Sequence, residues 1–235
     1  MCGIAGVFAF DRQRPVDVDL VRRMTETIQH RGPDGDGVRI GPGYVLGHRR
    51  LAIVDLAGGL QPMGLPDEEL WITFNGEIYN YLELREELKR LGATFRTNSD
   101  TEVLLHGYRA WGTGLAARLR GMFAFVIVDE AKHELYCARD RVGKKPLYWC
   151  GEDGQFAFGS ELKALRQLPR SWRVRADAVA QFLALRYVPD PISIFEGVHK
   201  LAPAHWLRIK GGRVEQQRYW QLNFEADGQP REWHQ

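Results

Sequence analysis

The sequence begins MCGIAGVFAF (residues 1–10), and the interpretation of the whole chain starts from this stretch. Residues 3–10 form a short apolar run that ends at Asp11, which is typical of a buried strand. A strand so close to the terminus would anchor the N-terminus inside the fold, whereas most termini fray. An anchored terminus would suit a catalytic residue at position two, and it would equally suit a strand that only adds stability.

Cys2 carries a thiol, and it would also carry a free α-amine if Met1 were removed after synthesis. An α-amine has a reference pKa of roughly 7.7–8.0, so it is a base poised near neutral pH beside a nucleophilic sulfur. Nucleophiles activated by an N-terminal amine are known in acyl transfer. A cysteine at position two is more often just a small residue, so the rest of the chain must decide.

The composition is that of an ordinary globular protein. The chain has 235 residues, of which 44% are hydrophobic and 26% charged, and its formal net charge is +2. This length allows one large domain or two small ones with a substantial core. The charge balance gives no nucleic-acid footprint, and no apolar run approaches the ~18 residues of a membrane span. We therefore expect no nucleic-acid partner and no membrane partner.

The chain contains three cysteines, Cys2, Cys137 and Cys150. An odd count with wide spacing fits neither a disulfide framework nor a zinc site, so we expect no metal. The N-terminus also lacks the basic and apolar regions of a secretory signal. These features favour a reducing cytoplasm as the compartment.

The hydrophobic patterns predict an α+β protein with mostly antiparallel strands, because short strands recur at close spacing with turn residues between them. Strands are predicted over residues 3–10, 44–55, 70–74, 121–129, 134–139, 146–149, 155–158, 204–209 and 213–220. Helices are predicted over residues 18–29, 80–92, 99–111, 162–168 and 176–185.

Turn and cap chemistry adds four local expectations. Residues 30–37 (HRGPDGDG) and 56–69 are rich in Gly and Pro and predict loops, the first without the Lys-Ser/Thr ending of a P-loop. Asn75-Gly76 predicts a tight hairpin turn. Asn80 stands in capping-box register with Glu83, as Ser99 does with Glu102. Asp100 falls in a first helical turn, where the helix dipole alone can explain a carboxylate.

Five motifs then follow one another in order: CGIAG (2–6), HRGPDG (30–35), HRRLAIVD (48–55), FNGEIYNY (74–81) and SDTEVL (99–104). Together they resemble the class II glutamine amidotransferases, the N-terminal-nucleophile glutaminases. The likeness is greatest to the glutaminase domain of glutamine-hydrolysing asparagine synthetase. GMFAFVIVD (121–129), RDRVGKKPLY (139–148) and SELKAL (160–165) are similar to the same family. The resemblance implies an N-terminal nucleophile hydrolase fold, a four-layer αββα sandwich with two stacked antiparallel sheets.

The resemblance also implies a catalytic set. Cys2 would attack the side-chain amide of L-glutamine, with its own α-amine as the base, and a thioester would be hydrolysed to glutamate and ammonia. The Asn75 side chain and the Gly76 backbone N–H match the donors that stabilise the oxyanion. No cofactor is implied for this glutaminase step.

The substrate-binding set implied by the resemblance adds three charged residues to Asn75 and Gly76. Arg50 matches the guanidinium that holds the glutamine α-carboxylate, since a guanidinium fork binds a carboxylate bidentately. Asp100 matches the carboxylate that holds the α-ammonium, and Glu77 belongs to the same set.

We expect residues 1–220 to form the amidotransferase domain and residues 221–235 to form a polar tail or the start of a linker. The sequence contains no SGGLDS-type pyrophosphate loop, so ATP and magnesium would belong to a missing synthetase domain, and aspartate would be a partner only through it. A truncated product, an excised domain and a stand-alone glutaminase all stay open. So do a fragment that only binds glutamine or a partner, and a related hydrolase of another amide. A homodimer is compatible with the sequence.

Overall fold

The structure is a computed structural model that describes residues 1–53, 55, 58–65, 67 and 69–224. Its strands are β1 (Gly3–Ala9), β2 (Gly35–Gly41), β3 (Tyr44–Arg50), β4 (Met63–Leu65), β5 (Leu70–Ile78), β6 (Gly121–Asp129), β7 (Glu134–Arg139), β8 (Tyr148–Glu152), β9 (Gln155–Gly159), β10 (His199–Lys200), β11 (His205–Lys210) and β12 (Arg213–Arg218). Its α-helices are α1 (Val18–Glu26), α2 (Tyr81–Arg90), α3 (Asp100–Trp111), α4 (Leu115–Arg118), α5 (Leu162–Leu165) and α6 (Ala176–Leu185).

The strands form two six-stranded sheets, ordered β10-β8-β9-β1-β3-β2 and β12-β11-β7-β6-β5-β4. Every pairing between neighbouring strands is antiparallel. The first strand of the chain is therefore central, with β9 on one side and β3 on the other. Cys2 precedes this strand directly and is anchored by it, as the opening sequence predicts.

Alternating side chains bury both faces of each sheet. In β1, Ile4 and Phe8 point between the sheets, whereas Ala5 and Val7 pack beneath α1 and α5. In β6, Val126 points between the sheets, whereas the adjacent residues Phe125 and Ile127 point to the other face and pack beneath α2 and α3. This period of two, with apolar residues on both faces, is what a doubly covered sheet requires. The three apolar layers confirm the predicted αββα sandwich.

The structure corrects the expected hairpin turn at Asn75-Gly76. Both residues lie inside β5, paired with Ala124 and Phe123 of β6. An Asn-Gly pair favours a turn only when the chain can reverse there. Here the next strand, β6, begins more than forty residues later and pairs with β5 along its whole length, so sheet pairing overrides the local preference.

Three smaller expectations also change. Residues 30–37 are not all loop, because β2 begins at Gly35, and β4 lies within the range 56–69 that was expected to be loop. Asn80 precedes α2 but does not cap it, since its side chain instead contacts the backbone of Arg118 and Arg120. Ser99 does cap α3 by accepting from Thr101 N–H.

The end of the chain is described only in part. Residues 221–224 are irregular, and most of the predicted tail, residues 225–235, lies outside the described residues. The helices that the structure describes are all too short or too polar to cross a membrane.

Candidate active site

A cavity lies where the N-terminus, the end of β3 and the middle of β5 meet the start of α3. Its lining includes every residue that the sequence singled out: Cys2, Arg50, Asn75, Gly76, Glu77 and Asp100. These residues are up to 98 positions apart in the sequence, and the stacking of the two sheets brings them together. Met1, Gln61 and Lys145 also line the cavity.

The Cys2 thiol is half-buried and held by the backbone of Leu51. The Leu51 N–H donates to Sγ at 3.3 Å, and Sγ lies 3.5 Å from the Leu51 carbonyl oxygen. Burial raises the pKa of the Cys2 thiol, while the Leu51 N–H and nearby cations, including Arg50 and Lys145, oppose that rise. A thiol in this position needs a base before it can act as a nucleophile.

Arg31 fixes the backbone of Cys2, although it is not among the site residues predicted from the sequence. Its Nε donates to the Cys2 carbonyl oxygen at 2.9 Å, and its Nη1 binds Glu161 Oε1 at 2.9 Å. Both residues lie in quoted motifs, HRGPDG and SELKAL, but their partnership spans 130 positions. No spacing rule could have revealed this contact, although the motifs themselves pointed to the two segments.

Asn75 is fully buried, yet neither polar atom of its side-chain amide has a hydrogen-bond partner among the described residues. An unsatisfied buried amide costs roughly 1–3 kcal/mol, so folded proteins rarely retain one without a use for it. The amide lines the cavity beside Cys2. It is thus a preorganised group whose partner would be something that enters the cavity.

The edge of β5 supplies a second donor. Strand β4 pairs with residues 70–72 of β5. Along residues 73–78, the edge of β5 that faces away from β6 is therefore not covered by β4. The Phe74 N–H donates to Gln61 Oε1 at 2.7 Å, and the Ile78 N–H donates to Asp100 Oδ2 at 3.0 Å. Because N–H directions alternate along a strand, the Gly76 N–H between them points the same way, towards the cavity.

Glycine is required at position 76 by close packing. A Cβ built there would lie 2.1 Å from the Met122 carbonyl oxygen and 2.7 Å from the Phe123 Cα, which are rigid backbone atoms. Any side chain would therefore push β5 away from β6. The same tight pairing holds the Gly76 N–H in a fixed position.

The two charged ends of the cavity are Arg50 and Asp100. Arg50 ends β3 and donates through Nη2 to the Asp55 carbonyl oxygen at 2.8 Å, whereas Arg49 turns away to Asp36 at 3.5 Å. Burial raises the pKa of Asp100 to about 6, and the negative charge of Glu77 adds to that rise. A bound cation next to Asp100 would reverse this effect.

No group of three or more His, Cys, Asp or Glu side chains is arranged to hold a metal ion within the part of the chain that the structure describes. The cavity itself offers a thiol, two hydrogen-bond donors and opposite charges.

Comparisons with known proteins identify the family and the fold. A family model described as "Glutamine amidotransferase domain" matches residues 1–220. Asparagine synthetase [glutamine-hydrolyzing] 1 of Bacillus subtilis is 42% identical over an alignment of 227 positions that covers 95% of this chain and 36% of that protein. Putative asparagine synthetase [glutamine-hydrolyzing] 2 of Methanocaldococcus jannaschii is 36% identical over an alignment of 246 positions that covers 94% of this chain and 47% of that protein. The chain thus spans less than half the length of these curated relatives.

Among solved structures, the glutamine phosphoribosylpyrophosphate amidotransferase of B. subtilis, complexed with ADP and GMP, superposes with a TM-score of 0.68. The two chains are 21% identical, and the match covers 94% of this chain and 50% of the other. At this identity the likeness supports the fold, and it agrees with the two stacked sheets described above.

Proposed function

The chain belongs to the glutamine amidotransferase domain family, and on that premise we propose that it hydrolyses L-glutamine to glutamate and ammonia with Cys2 as the nucleophile. Asn75 gives the strongest support, because its buried amide lacks a partner and lines the same cavity as the Cys2 thiol. An amide in that state suits a negative charge that exists only during the reaction.

The first half of the reaction acylates Cys2. After removal of Met1, the free α-amine of Cys2 accepts the thiol proton, and Sγ attacks the side-chain amide carbon of glutamine. The carbonyl electron pair moves onto oxygen, and the oxyanion accepts hydrogen bonds from Asn75 Nδ2 and the Gly76 N–H. When the oxyanion collapses, the C–N bond breaks, and the departing nitrogen takes the proton from the α-ammonium and leaves as ammonia.

The second half hydrolyses the thioester. Water attacks the thioester carbon and loses a proton to the α-amine, and the same two donors stabilise the second oxyanion. Collapse breaks the C–S bond, and the thiolate recovers its proton from the α-ammonium. One glutamine and one water thus give one glutamate and one ammonia, and the glutaminase step needs no cofactor or metal.

Two charged residues account for the choice of a free amino acid. Arg50 would bind the α-carboxylate of glutamine, and Asp100, with Glu77 beside it, would bind the α-ammonium. Both pairs form away from bulk water, where an unmatched charge is costly. A peptide-bound glutamine would lack both charges, so this arrangement disfavours hydrolysis of other amides.

We further propose that the ammonia serves ATP-dependent amidation of aspartate in asparagine biosynthesis, because the relatives of this chain are named asparagine synthetases. ATP and magnesium would act in a synthetase half outside residues 1–220. Delivery to another acceptor, or glutamine binding without synthesis, is the alternative. Asparagine formation in a mixture with an excised synthetase half would separate the two.

The basic test is a glutaminase assay on the purified chain, with its N-terminus verified by mass spectrometry. We expect glutamate and ammonia to appear in equal amounts from L-glutamine without ATP, and also in the presence of EDTA. The proposal is wrong if a protein that begins at Cys2 and is correctly folded releases no glutamate.

Asp100 predicts how glutamine binding depends on pH. The raised pKa of about 6 means that the carboxylate is charged above that pH and becomes protonated as the pH falls through it. We expect KM for glutamine to rise as the pH is lowered from 7 to 5, a change separate from the fall in kcat that protonation of the α-amine, a base with a reference pKa of roughly 7.7–8.0, causes over the same range. Asp100→Asn keeps an acceptor for the Ile78 N–H but loses the charge, so its KM should be raised about 10–100-fold and should not show this pH dependence. Equal KM values for Asp100→Asn and wild type at pH 7 would remove Asp100 from the binding site.

A further inference from the structure

The loop between β7 and β8 carries a lysine into the cavity, and the proposed mechanism gives that lysine no role. Lys145 is only 4% exposed and lines the same cavity as Cys2. Its Nζ lies 3.0 Å from the Met1 Sδ, and no carboxylate of the described residues lies within ion-pair distance of it. Removal of Met1 would therefore take away the side-chain partner of a buried ammonium group.

The loop that carries Lys145 is held rigidly by its neighbours. The fully buried carboxylate of Asp140 accepts four backbone N–H groups at 2.9–3.2 Å, those of Phe123, Val142, Lys144 and Lys145. The Arg139 Nε donates to the Lys145 carbonyl oxygen at 2.8 Å. A loop fixed in this way supports a defined position for the base of the lysine side chain, and burial then restricts where its ammonium can go.

We propose that Lys145 is a positioning residue for the nucleophile: in the chain that begins at Cys2, its ammonium shares the cavity with that residue and stabilises the thiolate that forms when the thiol proton passes to the terminal amine. The proposal rests on the function proposed above and deepens it. Lys145 acts through Cys2, and the proposal requires no direct contact between Lys145 and glutamine.

Electrostatics explain why such a cation is useful. Burial raises the pKa of the Cys2 thiol, and the charge of Lys145 is one of the contributions that lower it. The same positive charge disfavours a second positive charge on the neighbouring α-amine. Both effects prepare Cys2 for the reaction, because the amine stays neutral until it accepts the thiol proton and the thiolate formed by that transfer is stabilised.

The other charged groups around this position have roles of their own. Arg31 is paired with Glu161, and the Asp140 carboxylate is occupied by four N–H donors. Arg50, Glu77 and Asp100 are the groups assigned to the charged ends of glutamine. Glu77 raises and Arg31 lowers the pKa of Lys145, although burial, which lowers it, is the largest effect. Lys145 is thus the cavity-lining cation to which neither glutamine nor a carboxylate has been assigned.

The test compares Lys145→Met, which removes the charge, with Lys145→Arg, which keeps it. Lys144→Met is the matched control, because Lys144 is the adjacent residue of the same loop but is exposed. The readout is the pH dependence of Cys2 alkylation by iodoacetamide, located by peptide mass spectrometry, in chains verified to begin at Cys2. Cys137 and Cys150 are buried and should react slowly.

We expect Lys145→Met to shift the alkylation profile upward by about one pH unit, which slows the reaction about tenfold at neutral pH. The ascending limb of the kcat/KM profile should shift in the same direction. Lys145→Arg and Lys144→Met should keep the wild-type profiles. A wild-type alkylation profile in Lys145→Met overturns the proposal.

Two further measurements keep the outcome clear. Circular dichroism checks folding, and Lys145→Gln replaces Lys145→Met if the latter does not fold. Alkylation requires no glutamine turnover, so it reports on Lys145 even if the glutaminase assay fails. A shifted alkylation profile in a protein without glutaminase activity would support the role of Lys145 and contradict the proposed function.

Discussion

Replacement of Cys2 by alanine is expected to abolish glutamate release while the fold is retained. The variant lacks the sulfur that forms the thioester, and none of the residues that line the cavity offers a second thiol. The Cys2 side chain contributes little to the core, since it precedes β1 and, among the described residues, its Sγ has only the Leu51 backbone within hydrogen-bond distance. The measurements are glutamate release and thermal unfolding, and the melting temperature should stay close to that of wild type.

Cys150→Ala is the matched control for this loss. Cys150 is also a cysteine, but it is buried in β8 among apolar residues, and burial raises the pKa of its thiol. Its removal should lower stability modestly and leave glutamate release intact. Residual turnover by Cys2→Ala, or a complete loss of turnover in folded Cys150→Ala, would contradict the assignment of the nucleophile.

The free amine of Cys2 can be tested separately from its sulfur. An N-terminal affinity tag would keep the amine in a peptide bond, whereas a C-terminal tag would leave it to be freed by removal of Met1. We expect the N-terminally tagged protein to release no glutamate, although its thiol is still present, and the C-terminally tagged protein to be active. Equal activities of the two would show that the amine is not the base.

Sequence patterns predicted the parts of this fold that depend on local chemistry. β6 and β7 match their predicted bounds, and α3 begins one residue after the predicted Ser99 cap. The N-cap at Asn80 was wrong because its side chain satisfies backbone groups near residues 118–120, which lie far away in sequence. Hydrophobic periodicity and secondary-structure propensity describe a local segment. They do not reveal which distant backbone group will compete for a side chain.

The candidate site also divides into features that the local sequence predicts and contacts between distant residues that it does not. Motif order identified the six residues that the cavity brings together, but not the contacts that hold them there. Arg31 with Glu161 and Gln61 with the Phe74 N–H are partnerships set by sheet stacking and by the short strand β4. The hairpin expected at Asn75-Gly76 failed for a related reason. In this strand, the pairing with β6 and the close approach of Met122 determine the conformation.

Replacement of Asn75 by alanine should reduce kcat about 100–1,000-fold, the usual cost of losing one oxyanion donor. KM for glutamine should change little, because the proposed partner of the amide is the oxyanion and not either charged end of the substrate. Folding stability should not fall as it does for most buried polar residues. The Asn75 amide has no partner among the described residues, so its removal breaks no hydrogen bond there and relieves an uncompensated burial cost.

Gln61→Ala supplies the opposite case for comparison. Gln61 also lines the cavity, but its Oε1 accepts from the Phe74 N–H at 2.7 Å, and truncation would leave that backbone donor unpaired. We expect Gln61→Ala to lower the free energy of unfolding by about 1–3 kcal/mol, measured in urea. Asn75→Ala should instead unfold at the same or a higher urea concentration than wild type.

The pair of measurements separates a catalytic amide from a structural one. A catalytic Asn75 predicts a large loss of kcat without a loss of stability, because the partner of its amide exists only while the oxyanion does. A structural Asn75 predicts the reverse, with an early unfolding transition and nearly unchanged kcat. The second result would show that the amide is satisfied within the folded chain, and the oxyanion would then have to rely on the Gly76 N–H alone.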